Sequence, residues 1–349
     1  METLRTVLIA ILVFGTLIFI HEFGHYIFAR IFRVTITEFS IGMGPKLVWY
    51  ESKKTKITYA LSMIPIGGYV AMVGENGESD DPNSFDKKPA YQRFIITVAG
   101  ATVNIVAGFL AMIIFTCMVN IGGTTVAEFI PKEQSEYEVS SSESGLMVGD
   151  TIISVAGRRV NIADELSYEI MRHGNKPCDV VVLRDGVEVL LNDVVFPTEE
   201  EQGQTFGMMD FKIYRTEKNF GSVMSYSFAK SVLIVRMCWE SIFDLITGRY
   251  TLAAVSGPVG ISEAIGDAAK TGFSNLLYIT ALISINLGVM NLLPIPALDG
   301  GRTVTILVEM ITKKRMPPKV EGMINAIGLI ALLALSAIIM IKDVVGLFS

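Results

Sequence analysis

Four long apolar stretches constrain this chain more than any other feature of its sequence. They run roughly over 4–32, 94–119, 276–298 and 324–341, and the last contains no charged residue. A helix rises 1.5 Å per residue, so about 20 apolar residues cross a bilayer core of about 30 Å. With 51% hydrophobic residues and a mean hydropathy of +0.49, the chain is more apolar than a water-soluble fold requires. The sequence therefore predicts a polytopic α-helical membrane protein with about four transmembrane helices.

The distribution of charge predicts which segments face the cytoplasm. Nine Lys and Arg residues fall between Arg30 and Arg93, and five more between Arg302 and Lys319, whereas 120–274 carries 22 acidic against 13 basic residues. The positive-inside rule places the two basic segments in the cytoplasm, and 120–274 and the N-terminus outside. Arg5 before an apolar stretch resembles a secretory signal, but no small-x-small cleavage site follows, so we expect the stretch to be retained.

Turn signals and hydrophobic periodicity divide the chain further. Alternating residues in VTITEFSIGMG, KLVWYES, TKITYALSM and PIGGYVAM predict a small β-hairpin element on the cytoplasmic membrane face. The predicted segments are a first helix at 1–33, the hairpin region with a loop at 34–93, a second helix at 94–119, a β-rich domain at 124–198, an extracytoplasmic linker with amphipathic helices at 199–275, a third helix at 276–298, a cytoplasmic loop at 299–323 and a fourth helix at 324–347.

The segment 223–246 is apolar but interrupted by Lys230, Arg236, Glu240 and Asp244. Four charges favour an amphipathic helix on the outer membrane surface over a fifth membrane span, and both interpretations stay open. No basic face suited to nucleic acid is present. Three cysteines spread widely along the chain predict neither a disulfide framework nor a cysteine metal site.

The segment 124–198 resembles a PDZ domain. SGLMVGDTIISVAGRRV gives a turn glycine, a β-branched strand and a second turn, and DELSYEIM predicts a helix before the strands CDVVVLRDG and VEVLLNDVVF. The fold expected for the whole chain therefore includes an inserted, extracytoplasmic PDZ-like α+β domain. The alternative is a generic small β domain without a peptide groove.

The segment FIHEFGHYIF places three ionisable groups inside the first apolar stretch. On a helix, residues four apart share a face, so His21 and His25 can bind one ion while Glu22 reaches a water beside it. Each ionisable group in a membrane helix costs about 2.5 to 3.5 kcal/mol unless it has a partner. A common zinc ion explains all three; the alternative is a pair of histidines hydrogen-bonded to neighbouring helices.

A catalytic zinc site usually has three protein ligands and one open position. In NLGVMNLLPIPALDGGR, the third apolar stretch breaks at two prolines and reaches Asp299, which is the favoured third ligand. Glu309 is the alternative, further into cytoplasmic sequence. His25 lies eight residues before Arg33, or roughly 12 Å inside the helix end, and Asp299 also lies at a cytoplasmic end. The two halves of the site are thus expected at one depth.

Taken together, HEFGH, NLLPIPALDGG, SGPVGI and the PDZ-like insert resemble the site-2 proteases, the M50-type intramembrane zinc metalloproteases, and within them the RseP-like bacterial members with a single PDZ domain. The resemblance covers essentially the whole chain. Residues matching the late motif are Asn291, Pro294, Pro296, Leu298, Asp299 and Gly300. Two features depart from the family pattern: some relatives carry two PDZ domains, and Ala101 stands where relatives often have proline.

The resemblance implies a bacterial inner-membrane enzyme that cleaves single-span membrane proteins within the bilayer, after a first cut outside. It implies zinc on His21, His25 and Asp299, with Glu22 as the general base. The hairpin around Gly67, Gly68 and Tyr69 is expected to bind the unwound substrate by strand addition. Asn291 is a candidate for bonding the freed substrate backbone, or else a helix-to-helix contact.

Several alternatives stay open at this level. The PDZ-like domain could bind a newly exposed C-terminus or exclude bulky substrates, and family resemblance favours exclusion. Anti-sigma factors and leftover signal peptides are the expected substrate classes, and the sequence does not name one. A metal transporter would need more polar residues lining the helices, and an inactive scaffold would be expected to have lost a ligand. Oligomeric state and bacterial lineage are not determined.

Overall fold

A computed structural model describes residues 2–75, 77–131, 139–201, 204–249 and 255–346. The chain forms two compact units, Met1–Ala111 with Ile234–Ser349, and Met112–Leu233. Parts of five predicted segments lie outside the described residues: 1 of the first helix, 76 of the hairpin region, 132–138 of the β-rich domain, 202–203 and 250–254 of the linker, and 347 of the fourth helix.

Four helices in the described part of the chain are long and apolar enough to cross a membrane, which confirms the predicted number. They are α1 (Glu2–Ile31), α2 (Ala90–Met118), α6 (Phe273–Leu292) and α8 (Pro318–Gly346). The charged segment at 223–246 lies within a single helix, α4 (Phe220–Ile246), which is not among these four. The structure thus supports a membrane protein built on four apolar helices.

The structure corrects two predicted boundaries near the LDG motif. The third membrane helix ends at Leu292 rather than 298, because Leu293 is extended (φ −62°, ψ 144°) as the residue before a proline prefers. The segment predicted as a loop from 299 begins with a helix, α7 (Asp299–Thr312). Its buried residues, Gly300, Thr303 and Ile306, recur every three positions, and this short amphipathic pattern was overlooked among the charges around it.

The predicted hairpin element is a two-stranded sheet of β1 (Ile36–Glu51) and β2 (Thr58–Met72), paired antiparallel. Both strands bend, so that the stretch 38–41 lies opposite 58–61 as well as 68–71, while 46–51 lies opposite 58–62. The glycine of FSIGMG at position 42 has φ +84°, and a Cβ there would lie 2.6 Å from the Ile64 carbonyl oxygen. Residues 68–72 therefore form one outer edge of the sheet and 46–51 the other, among the described residues.

Two apolar clusters hold the membrane unit together. Near the end of α1, Ala29 packs with Ile96 of α2 and with hairpin residues that include Phe39 and Val70. Nearer the start of α1, its apolar face packs against α5 (Pro258–Thr271) and α6. The first cluster fixes the hairpin against the helix that carries the HEFGH motif.

The second unit contains a β sheet and a helix, α3 (Ala163–His173). The strands of the sheet are β3 (Ile121–Phe129), β4 (Thr151–Val155), β5 (Arg158–Arg159), β6 (Cys178–Arg184), β7 (Val187–Val194) and β10 (Phe211–Thr216), and a separate hairpin pairs β8 (Thr198–Glu201) with β9 (Gln204–Gly207). The order in the sheet is β10–β3–β4–β6–β7, with β5 paired to β4. Since β10 pairs with β3, the β domain extends beyond its predicted end at 198. Leu166 and Ile170 of α3 are fully buried in its core.

A buried ion pair fastens the loop before β4. The Asp150 side chain is 1% exposed, and Arg184 Nε and Nη2 each donate to it at 2.7 Å. The Met147 N–H donates to the same carboxylate at 2.8 Å. Burial alone would raise the pKa of Asp150, but the hydrogen bonds from Arg184 and Met147 outweigh it and lower the pKa below its usual range.

This ion pair predicts how the stability of the protein depends on pH. Because the folded-state pKa is lowered, ionised Asp150 stabilises the fold above about pH 4, its pKa when unfolded, and loses this effect as pH falls through the folded pKa. Asp150→Asn should therefore unfold at a lower temperature than the unmodified protein at pH 7, and the difference should shrink at acidic pH. Thermal unfolding of both proteins between pH 7 and pH 3 measures this; a difference that stays constant would contradict the assignment.

Candidate metal centre

Helix α1 places the two histidines of HEFGH on one face. His21 and His25 are one turn apart, with ring centroids 4.9 Å from each other and planes inclined at 81°. Both belong to the apolar segment Thr3–Ile31, whose own side chains offer few hydrogen-bonding partners. The imidazoles must therefore find their partners on other elements of the protein.

The third group comes from the start of α7. After α6 ends, the chain turns through Pro294 and Pro296 and returns so closely that a Cβ on Gly300 would lie 1.9 Å from the Leu293 carbonyl oxygen. A Cβ on Gly301 would lie 2.4 Å from the Ile295 carbonyl oxygen. The two glycines of the LDGG sequence are thus required for the reversal that turns Asp299 toward α1.

Three donor atoms converge at this point. Asp299 Oδ2 lies 3.1 Å from His21 Nε2 and 3.1 Å from His25 Nε2, and the two nitrogens are 3.3 Å apart. Donors around a tetrahedral zinc at about 2.0–2.1 Å are about 3.3–3.4 Å from one another, so the triangle has nearly the right size. Asp299 Oδ2 is buried and accepts no hydrogen bond from the described residues. Two imidazole nitrogens and a carboxylate oxygen that converge at these distances suit a divalent cation, and zinc fits the donor set.

The outer nitrogen of each imidazole also has a partner. His25 Nδ1 lies 2.8 Å from the Ile96 carbonyl oxygen, which can only accept, so His25 carries its proton on Nδ1 and leaves Nε2 free for a metal. His21 Nδ1 lies 3.3 Å from the side-chain amide of Asn104. Both partners belong to α2.

Close packing of α1 against α2 makes these contacts possible. A Cβ on Gly24 would lie 2.7 Å from the Ala99 carbonyl oxygen, and a Cβ on Gly100 would lie 2.3 Å from His25 Nε2. Small residues let membrane helices approach in this way. Because residue 100 has no side chain, there is room beside it for His25 Nε2, the nitrogen expected to bind the metal.

The candidate metal centre opens into a cavity of about 400 Å³. Glu22 lines this cavity, and a Cβ on Gly68 would lie 3.0 Å from Glu22 Cγ, so the hairpin backbone runs directly beside the glutamate. The other lining residues are His21, His25, Gly68, Tyr69, Val70, Ala71, Met72, Glu75, Ile96, Thr97, Asp299 and Arg302. One edge of the β sheet therefore borders the same space as the general-base candidate and the three donors.

Ion pairs anchor α7 around the cavity. Arg302 donates to the Glu75 carboxylate at 2.5 Å and to the Glu75 carbonyl, and its guanidinium lies 4.9 Å from the centre of the Phe85 ring. Arg93 donates to Glu309 further along the helix. Glu309, the alternative third ligand, is thus engaged with an arginine away from the imidazoles.

The structure brings together six of the seven residues predicted for the site. His21, Glu22, His25, Asp299, Gly68 and Tyr69 all line the cavity. Asn291, near the end of α6, is not among its lining residues. The prediction overlooked Asn104, Gly100 and the pair of Glu75 with Arg302. AGATVN in the second apolar stretch, where Gly100 and Asn104 stand four residues apart, was the available signal for the first two.

Known proteins resemble this chain over nearly its full length. The profile of peptidase family M50 matches residues 9–335. Proteins carrying a zinc-metalloprotease name in Clostridium acetobutylicum and Fusobacterium nucleatum are 34% and 35% identical, covering 97% and 99% of this chain and 97% and 100% of their own. A Bacillus subtilis protein named regulator of sigma-W protease RasP is 28% identical, with 99% of each chain covered.

Gly100→Ala should damage the metal centre without touching a ligand, because the added methyl group would occupy the space of His25 Nε2. Zinc affinity of the purified protein, measured by competition with a chelator, is expected to fall on the order of 10–100-fold, as for other disturbances of a metal ligand's surroundings. Gly15→Ala on α1 is the matched control, because no atom lies within 4 Å of a Cβ there. Equal zinc affinity in both variants would contradict the packing described.

Proposed function

This chain belongs to peptidase family M50, and we propose that it is an intramembrane zinc metalloprotease that hydrolyses peptide bonds within transmembrane segments of single-span proteins. The observation that carries the proposal is the meeting of His21, His25 and Asp299 within 3.1–3.3 Å, beside Glu22, where the apolar helix α1 meets the start of α7. Charged and metal-binding groups are placed at such depth only for a function that operates there.

The proposed mechanism assigns proton transfer to Glu22. When bound, Zn²⁺ would act as a Lewis acid that polarises the scissile carbonyl and makes water more acidic. Glu22 accepts the proton of the attacking water and returns it to the departing amine, so its carboxylate serves first as base and then as acid. Its position against Gly68 aims it into the cavity where a peptide bond can lie.

Glu22→Gln tests this role because it keeps the size of the side chain and removes the base. The variant should bind zinc as the unmodified protein does and cleave a single-span model substrate on the order of 10²–10⁴-fold more slowly. Glu51→Gln, at an exposed position on β1, is the matched control and should retain full activity. A chelator should abolish cleavage by the unmodified protein, and zinc should restore it.

Two outcomes of that experiment, and one from variants of the ligands, would contradict parts of the proposal. Equal cleavage by Glu22→Gln and the unmodified protein would eliminate the proposed role of the glutamate. Zinc bound without cleavage would favour a metal transporter or an inactive scaffold. Undiminished zinc in His21→Ala or Asp299→Ala would remove that residue from the ligand set.

We propose that the substrate adds a strand to the free edge 68–72. A helical substrate hides its backbone in internal hydrogen bonds, so cleavage requires an unwound segment whose amide groups need new partners. Residues 68–71 pair with 38–41 on one side, and their other side borders the cavity. The Tyr69 hydroxyl donates to Glu38 at 2.7 Å, which steadies this edge. Asn291 does not line the cavity described, so its side chain would have to move toward the cavity before it could hydrogen-bond the substrate backbone.

Cross-linking tests strand addition. In Glu22→Gln protein without its three native cysteines, single cysteines at Tyr69, Val70 or Ala71 should cross-link to substrate cysteines at every second position, since side chains alternate along a strand. Trp49→Cys is the control, because it lies on the opposite edge of the sheet and is 63% exposed. Cross-links that ignore substrate position, or that are equally strong at the control residue, would contradict the proposed binding mode.

For the β domain we propose a PDZ-like fold outside the membrane that excludes substrates with bulky outer domains, so that this protease acts after a first cut. The cytoplasmic depth of the metal centre follows from the same orientation, which rests on loop charge. The name of the Bacillus subtilis relative refers to regulation of sigma-W, and for this chain we propose an anti-sigma factor in the bacterial inner membrane as the first candidate substrate. Leftover signal peptides are the second candidate substrates, and the bilayer itself is the medium in which both are presented.

Substrates that differ only outside the membrane distinguish exclusion from C-terminus binding. Exclusion predicts that trimming the outer domain raises the cleavage rate whatever residue forms the new C-terminus. A short flexible tail added to the trimmed substrate should then leave the rate unchanged. Loss of cleavage on adding that tail would instead assign the domain to recognition of a free C-terminus.

A further inference from the structure

Asn104 is a polar residue in the middle of an apolar membrane helix. It is fully buried in α2, its side chain faces His21 Nδ1 at 3.3 Å, and its Oδ1 atom has no hydrogen-bond partner among the described residues. Burial of an amide in such surroundings is unfavourable unless its groups are bonded. The contact with His21 is therefore the feature that explains a buried amide at this position.

The chemistry of the imidazole decides which amide atom must face it. His21 Nε2 points at Asp299 Oδ2 and His25 Nε2, where a metal needs its lone pair. In a neutral imidazole the proton must then lie on Nδ1, and an N–H there needs an acceptor. An amide nitrogen can only donate, whereas the amide oxygen accepts.

The neighbouring ligand shows the same arrangement already in place. His25 Nδ1 faces the Ile96 carbonyl, an atom that can only accept, at 2.8 Å. The Ser284 hydroxyl donates to the Asn104 backbone carbonyl at 2.8 Å and holds the backbone of α2 against α6 at this point. A rotation of the terminal amide group is then enough to exchange its nitrogen and oxygen, without any movement of the helix.

We propose that Asn104 is a positioning residue for the metal centre: in the zinc-loaded protein its amide is turned by half a rotation, and Oδ1 accepts the His21 Nδ1–H. This gives Oδ1 the partner it lacks and holds His21 in the tautomer that exposes Nε2 to the ion. The inference rests on the proposed zinc site and assigns to it a second, buried contributor.

Two substitutions separate accepting from donating. Asn104→Leu keeps the volume and removes both hydrogen-bonding groups, so zinc affinity should fall on the order of 10–100-fold. Asn104→Asp retains only acceptors, so zinc affinity should stay within about threefold of that of the unmodified protein. Ser284→Ala is the matched control, because it loses a bond to the same residue without reaching His21. Zinc affinity is measured on the full chain in detergent, by competition with a chelator.

The proposal would be overturned if Asn104→Asp lost as much zinc affinity as Asn104→Leu while Ser284→Ala was unaffected. Full zinc affinity in Asn104→Leu would also overturn it. If the unmodified protein bound no zinc, the proposed function would fail together with this inference. Normal zinc binding by the unmodified protein with a contradicting result at position 104 would overturn only the role of Asn104.

A second measurement needs no change at Asn104. The chain has three histidines, so His173→Gln leaves only those of the metal centre. Nitrogen NMR of this variant, labelled in histidine and loaded with zinc, should show a protonated Nδ1 and a metal-bound Nε2 for both rings. A His21 ring with its proton on Nε2 would overturn the proposal.

Discussion

The meeting of two imidazoles and one carboxylate is the interaction on which the rest of the structure depends. Their donor atoms lie 3.1–3.3 Å apart, which is the separation expected for ligands around one divalent cation. Burying these groups together without such an ion would be unfavourable, because each of them has to give up contact with bulk water. A divalent ion would therefore stabilise the fold as well as the reaction, since it would join the first membrane helix to the start of α7.

Packing around this point is arranged to keep space for the ion and its ligands. Glycines at 24 and 100 let two helices approach, and those at 300 and 301 let the chain reverse into the site. Ion pairs of Arg302 and Arg93 then hold α7 against its surroundings. A sheet edge borders the same cavity, so the groups that would bind an extended peptide and those that would cleave it share one space. Because these groups share one cavity, proteolysis within the bilayer explains their arrangement better than ion transport does.

The sequence predicted those parts of the site that depend on local pattern. HEFGH predicts two ligands and a base because helical spacing alone puts them together, and the broken third stretch predicts Asp299 as the third ligand because polar residues are rare there. Asn104 could not be given a role, since its partner is distant in the chain and one buried asparagine can equally join two helices. The helix of α7 was overlooked because its apolar face is short. The predicted end of the β domain at 198 is too early. The strand β10 joins the sheet by pairing with β3, which is distant in the chain, and no local sequence pattern indicates this pairing.

X-ray absorption at the zinc edge of the purified, metal-loaded protein shows whether His21, His25 and Asp299 hold the ion. We expect one zinc per chain, surrounded only by nitrogen and oxygen at about 2.0–2.1 Å, with the outer-shell scattering of two imidazole rings. Replacing Asp299 by alanine should remove an oxygen from that shell or abolish binding. A sulfur neighbour at about 2.3 Å, or scattering from fewer than two imidazoles, would contradict this ligand set.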